Sequence, residues 1–343
     1  MVAPTTLVVG GGSWGTALAN LLAGKGVPVT IWAREHDVVE GISSQRENPI
    51  FLPGIALSEA LRATADLEAA LKTADVVVNA VPTQFIRSTF EPVAALVGAS
   101  TLLVTVSKGI EVDTLLQPHQ ILAKTIAGSV EGPVDVGAVA LSGPSFAREV
   151  GAEHPTAVVA AGIDLELARR VQELFSTDTF RVYATDDIVG VELGGAVKNV
   201  IAIAAGIVEG LRYGHNTMAA LITRGIVEIT RLGVALGGNP LTFAGLSGMG
   251  DLVLTCTGGL SRNRTVGVEL GRGRRIDDIL ADMEMVAEGV KTTLAVRQLA
   301  ESVGVEMPIT EQVHQVLYEG KDPRLVPREL MIRGLKDERE ARL

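Results

Sequence analysis

Three clusters in this chain set charged residues among small or apolar neighbours, where a solvated charge would be out of place. Lys198 lies in Leu193-Gly194-Gly195-Ala196-Val197-Lys198-Asn199-Val200-Ile201, and helical spacing puts it on one face with Gly194, Gly195, Ile201, Ala202 and Ala205. An amine on such a face loses water, its pKa falls, and it can then exchange protons near neutrality, as a general acid/base must. A lysine snorkelling to solvent along an apolar helix would show the same spacing. Lys108, in Ser107-Lys108-Gly109-Ile110-Glu111, follows a β-branched run, at the strand edge outside which open α/β sheets bind ligands; an ordinary surface lysine is the alternative. Asp251 and Thr255 stand one helical turn apart after the glycine-rich approach 245–250. Ser261-Arg262-Asn263 then adds a fork donor and two short polar side chains, a set suited to a phosphate, although Arg262 and Arg264 also fit plain surface arginines.

A fourth cluster has no charge at all. Gly10-Gly11-Gly12-Ser13-Trp14-Gly15 satisfies G-x-G-x-x-G directly after an apolar run and before a helical segment carrying Ala17, Leu18 and Leu22. In that context Gly10 permits a tight turn, Gly12 lets backbone approach a pyrophosphate and Gly15 allows close helix-to-strand contact. The helix N-terminus offers free amides to the phosphates. The expected ligand is a nicotinamide dinucleotide. Near the end of the next strand, where NAD enzymes carry an acid for the ribose, the chain has Ala33-Arg34. Arg34 points to a 2′-phosphate and hence NADPH, while Glu35 and Asp37 keep NADH as the other candidate.

These residues need elements to hold them. Short β-branched runs at 6–9, 28–32, 75–80, 101–106, 136–141, 156–160 and 180–183 alternate with helical segments. Strands apolar on both faces predict an α/β, Rossmann-type, doubly wound and mostly parallel sheet over residues 1–187. Beyond that the strand signal stops, and Ala, Leu, Gly and Ile at helical spacing predict an all-α domain over 188–343. Asn216 reads as the N-cap of a helix reaching about Leu236. The charged tail 336–342 reads as a solvated helix end.

With 343 residues, two domains are the natural expectation. A net charge of −10 without a basic run argues against nucleic acid, so an anionic substrate needs a local basic pocket. The single cysteine, Cys256, excludes an intramolecular disulfide, and with five scattered histidines no metal site is expected. No signal-peptide pattern opens the chain, and the apolar stretch 200–208 falls short of the roughly 20 residues that cross a bilayer. A cytoplasmic protein without membrane insertion is expected, and a helical half this rich in Ala, Gly and Ile suits a homodimer interface.

Together these segments resemble the NAD(P)-dependent glycerol-3-phosphate dehydrogenases of the bacterial type. Seven ordered stretches carry the resemblance: GGGSWGTALA at 10–19, SKGIE at 107–111, LSGPSFAREV at 141–150, ELGGAVKNVIAIAAGI at 192–207, ALITRG at 220–225, GLSGMGDLVLTCTGGLSRNR at 245–264 and VAEGVKT at 286–292. The resemblance implies reversible reduction of dihydroxyacetone phosphate by NAD(P)H to sn-glycerol 3-phosphate, a phospholipid precursor, with Lys198 as general acid/base. It further implies cofactor contacts at Ser13, Trp14, Arg34, Lys108, Ala147, Arg262, Val286 and Glu288. Substrate contacts fall on Lys108, Gly143, Ser145, Lys198, Asp251, Ser261, Arg262 and Asn263. Two rival readings remain. A dehydrogenase of the 6-phosphogluconate or hydroxyacid type is opposed by Ser261-Arg262-Asn263 and the GPSFA loop; a non-catalytic dinucleotide sensor is opposed by the two lysines and Asp251.

Overall fold

The computed structural model describes residues 3–128, 137–283, 285–335 and 337–338. Val136, where the fifth expected strand begins, and most of the charged tail 336–342 lie outside the described residues. The chain divides into two compact units, Met1–Ser107 with Pro118–Ile188, and Lys108–Gln117 with Val189–Leu343. Lys108 thus groups with the second unit although it follows a strand of the first.

In the first unit, β1 (Thr6–Val9), β2 (Val29–Trp32), β3 (Arg62–Thr64), β4 (Val76–Asn79), β5 (Leu102–Thr105), β6 (Ala138–Ser142), β7 (Thr156–Gly162) and β8 (Phe180–Thr185) form one sheet in the order β3-β2-β1-β4-β5-β6-β7-β8. Every neighbouring pair runs parallel except β6 with β7. Strands β1, β4, β5 and β6 are buried at every position, as Val, Leu and Ala runs covered on both faces must be. The helices of this unit are α1 (Ser13–Gly24), α2 (His36–Glu40), α3 (Leu67–Leu71), α4 (Ile86–Phe90), α5 (Pro118–Ala127), α6 (Ala147–Gly151) and α7 (Leu165–Phe175).

The strand order reverses between β1 and β4, and such a switch point is where open α/β sheets hold ligands. Val9 is in register with both Trp32 and Asn79, so the connections after β1, β2 and β4 leave from one edge. The seven expected strands are all present within about two residues of their expected limits. Strand β3 is additional. Its sequence, Arg-Ala-Thr, carries no apolar run, and it is drawn into the sheet by pairing with Thr30 to Trp32 of β2.

The second unit is helical among the described residues. From α8 (Ile188–Gly210), which starts at its boundary, it continues through α9 (His215–Ala235), α10 (Pro240–Phe243), α11 (Asp251–Thr257), α12 (Arg262–Gly271), α13 (Ile276–Ala281), α14 (Glu288–Ser302), α15 (Pro308–Tyr318) and α16 (Val326–Met331). Helix α8 exceeds the short apolar stretch seen in sequence: its 23 residues are long and apolar enough to cross a bilayer, yet its apolar window is 94% buried, as in the core helix of a globular domain. It meets α12 backbone to backbone. A Cβ on Gly206 would fall 2.0 Å from the Arg264 carbonyl oxygen, and one on Gly267 would fall 2.0 Å from that of Ile203.

Asn216 is not a cap. Gly214, extended after the left-handed Arg212, is the N-cap of α9, and its carbonyl accepts the amide of Met218, which starts the helix one residue before Asn216. The entry of α15 is closed from a distance. Glu228 of α9, buried, accepts the amides of Ile309 at 2.6 Å and Thr310 at 3.2 Å, donors that no local side chain satisfies.

Candidate active site

One candidate cluster lies in the first unit, at the edge of the sheet. Gly10 takes φ +121°, a conformation glycine alone adopts readily, and a Cβ there would press to 2.9 Å from the backbone of Ala80 after β4. Gly15, in the first turn of α1, passes so close that a Cβ would reach the Gly10 carbonyl oxygen at 2.0 Å. Gly12 is the N-cap of α1, without a side-chain cap, and a Cβ there would meet nothing within 4 Å. Open space over uncapped amides fits a pyrophosphate. Ser13 Oγ donates to the Phe51 carbonyl at 2.5 Å. The Trp14 ring packs against Phe180, centroids 6.5 Å apart, and its amide lies in the first turn of α1. Arg34 stands exposed two residues past β2. Gly143, at φ +144°, and Ser145, whose hydroxyl donates to the Gly143 carbonyl at 3.0 Å, form the turn after β6; Ala147 opens α6, which packs against α1.

A second candidate cluster lies wholly within the helical unit. A π-helical turn, Leu246–Gly250, delivers Asp251 to the start of α11, where it meets Lys198 from the middle of α8. Lys198 Nζ donates to Asp251 Oδ1 at 2.8 Å and to Thr255 Oγ1 at 2.7 Å, and Lys108 Nζ donates to Asp251 Oδ2 at 2.6 Å. Thr255 passes its own proton to the Asp251 carbonyl at 2.7 Å, which fixes its lone pairs toward Lys198. Side-chain exposures of 8% for Lys198, 2% for Asp251 and 15% for Lys108 make this a nearly dry group of charges. Burial pushes the Lys198 amine down to about 8; Asp251 resists that fall and the neighbouring Lys108 charge adds to it. Burial alone would raise the Asp251 carboxyl, but the two ammonium groups and their hydrogen bonds outweigh it and hold it below the usual carboxylate range. The nearby Cys256 thiol is pushed up to about 12 by burial and is inert.

Ser261 and Asn263 are buried at the start of α12. Ser261 caps that helix by accepting the Arg264 amide, and Asn263 Oδ1 accepts the Gly289 amide at 2.9 Å, tying α12 to α14. Arg262 donates to the Val286 carbonyl at 2.8 Å, and Glu288 opens α14 two residues later. The structure therefore gathers Lys108, Lys198 and Asp251 into one cluster, and gathers Arg262, Asn263, Val286 and Glu288 around the junction of α12 and α14.

The family models of the NAD-dependent glycerol-3-phosphate dehydrogenase N-terminus and C-terminus match residues 5–168 and 187–328. The chain belongs to this family. Glycerol-3-phosphate dehydrogenase [NAD(P)+] of Geobacter sulfurreducens is 56% identical over 332 residues, covering 97% of this chain and 98% of that one. The like-named protein of Syntrophobacter fumaroxidans is 51% identical over 333 residues, 97% of each. The crystal structure of glycerol-3-phosphate dehydrogenase from Coxiella burnetii superposes with a TM-score of 0.91 at 38% identity, covering 97% of this chain and all of the other.

For this glycerol-3-phosphate dehydrogenase family member, sequence reasoning overlooked Asn199. It is buried, and its Nδ2 donates to the Lys108 carbonyl at 3.3 Å, steadying the second lysine from the residue beside the first. An amide in an otherwise apolar helical run was the available signal. Thr255 was recognised as sharing a face with Asp251, but not as the second acceptor of Lys198.

Proposed function

We propose that this chain catalyses the reversible NAD(P)H-dependent reduction of dihydroxyacetone phosphate to sn-glycerol 3-phosphate for phospholipid synthesis. The observation that carries this reading is the Lys198 amine, nearly free of water and aimed by Asp251 and Thr255. The names of relatives more than half identical to it agree. When bound, the reduced nicotinamide supplies a hydride to the carbonyl carbon. Lys198 Nζ protonates the oxygen that gains charge, so that one hydride and one proton complete the alcohol; in reverse the neutral amine takes the hydroxyl proton. Asp251 holds both amines at fixed positions. Two ammonium groups against one carboxylate leave a net positive field at the oxygen, preorganised for an alkoxide.

Gly143, Ser145, Ser261, Arg262 and Asn263 bind the remaining hydroxyl and phosphate, which adds binding energy remote from the reacting carbon. The dinucleotide is held by Gly10, Gly12, Ser13, Trp14, Gly15, Arg34, Lys108, Ala147, Arg262, Val286 and Glu288. The protein works in the cytoplasm without inserting in a membrane, supported by the burial of α8, and as a homodimer, which light scattering on the purified chain tests. Oxidation of NADPH and NADH followed at 340 nm with dihydroxyacetone phosphate tests the activity. Consumption without the ketose, or turnover of 6-phosphogluconate in reverse instead, would overturn it.

A further inference from the structure

We infer that Glu35 sets the balance between phosphorylated and unphosphorylated dinucleotide, working with Arg34 as a paired reader of the adenosine ribose 2′ position. This rests on the reading of the Gly10–Gly15 turn as the pyrophosphate site. The turn after β2 is in direct contact with that site: the Gly10 amide donates to the Trp32 carbonyl at 3.0 Å, and a Cβ on Gly11 would lie 2.5 Å from Cβ of Ala33. A ribose joined to a pyrophosphate on the glycine turn therefore arrives beside Arg34 and Glu35. An acid at this place accepts a bond from a free 2′-hydroxyl, and an arginine pairs with a 2′-phosphate. This chain has both, in succession.

The two are bound to each other. Arg34 Nε and Nη2 both donate to the same oxygen, Glu35 Oε1, at 3.3 and 2.9 Å. Glu35 Oε2 accepts no hydrogen bond from any described residue. The Arg34 side chain is 82% exposed and that of Glu35 34%, so the pair is a wet one that a stronger partner can open. With an unphosphorylated ribose the pair stays closed and Oε2 accepts the 2′-hydroxyl. With a 2′-phosphate, Arg34 turns to the phosphate and Glu35 becomes an adjacent like charge. Glu35 therefore handicaps NADPH and favours NADH, while Arg34 does the opposite, and their pairing keeps both cofactors usable.

The test is the dissociation constant of NADPH and of NADH, by fluorescence titration of the full-length protein, for the parent, Glu35→Gln, Arg34→Gln and the double variant. Removing the Glu35 charge should tighten NADPH about fivefold and weaken NADH about twofold, raising the NADPH-to-NADH affinity ratio roughly tenfold. Arg34→Gln should lower that ratio, and on its background Glu35→Gln should still tighten NADPH, because the like charge beside the 2′-phosphate is removed, but by less than in the parent, because no ion pair then has to open. An unchanged ratio in Glu35→Gln with a lowered one in Arg34→Gln overturns the inference and leaves the dinucleotide site intact. An unchanged ratio in both places the 2′ reader elsewhere and also overturns it. A parent that binds neither dinucleotide fails the site reading itself. Arg34 is exposed and Glu35 half-buried, and melting curves of the variants check that the fold is kept.

Discussion

With Lys198 as the proposed acid/base, a pKa lowered to about 8 makes the two directions of one reaction respond oppositely to pH. Reduction needs the protonated amine, so its kcat should fall as pH rises through about 8; oxidation needs the neutral amine and should rise over the same window. Profiles in both directions check this, and parallel slopes would exclude Lys198 as the shared group. Lys198→Met should cost turnover roughly 10²- to 10⁴-fold while NADPH affinity stays within about twofold. A variant as fast as the parent would remove Lys198 from the chemistry. The Lys198 face and the Asp251–Thr255 step were legible in sequence because both are helical periodicities. The partnership of Asn199 with Lys108 was not, since a bond spanning 91 residues leaves no local trace.

At the scale of elements, the α8–α12 crossing tolerates no added carbon. Gly267→Ala would drive a Cβ against the Ile203 carbonyl and should destabilise the protein by about 1–3 kcal/mol or more, read as a lower urea midpoint. Full stability would mean that the helices can part at little cost. The remote cap of α15 gives a pH signature. Burial, opposed by three hydrogen bonds and Arg231, raises Glu228 to about 7, above its unfolded value of 4.5. The folded state then binds the extra proton, so this stabilisation is complete below about 4.5 and is lost as pH rises through 7, by on the order of 3 kcal/mol. Glu228→Gln should flatten that slope in urea titrations between pH 5 and 8, and an unaltered slope would assign it to another group. Elements with apolar runs were legible. Strand β3 and the start of α9 were not, because β2 recruits the one and the turn at Arg212 sets the other.

For the molecule as a whole, composition anticipated the architecture through what it lacks. With aromatics at 3% and 38 glycines, cores must be built by close approach of small residues, and the bare crossing of α8 with α12 is the outcome. The grouping of Lys108 with the helical unit was hidden, since its own segment follows β5 of the sheet. That crossing also bears on heat. Gly206 lies about two turns, ~12 Å, along α8 from Lys198. A contact made of main chain alone has no rotamers to unlock on warming, so Lys198, the proposed proton donor, has no slack to gain before its helix is lost. Catalytic inactivation and the loss of helical dichroism at 222 nm should therefore share one midpoint on heating, and activity failing several degrees earlier would show that the anchor slips.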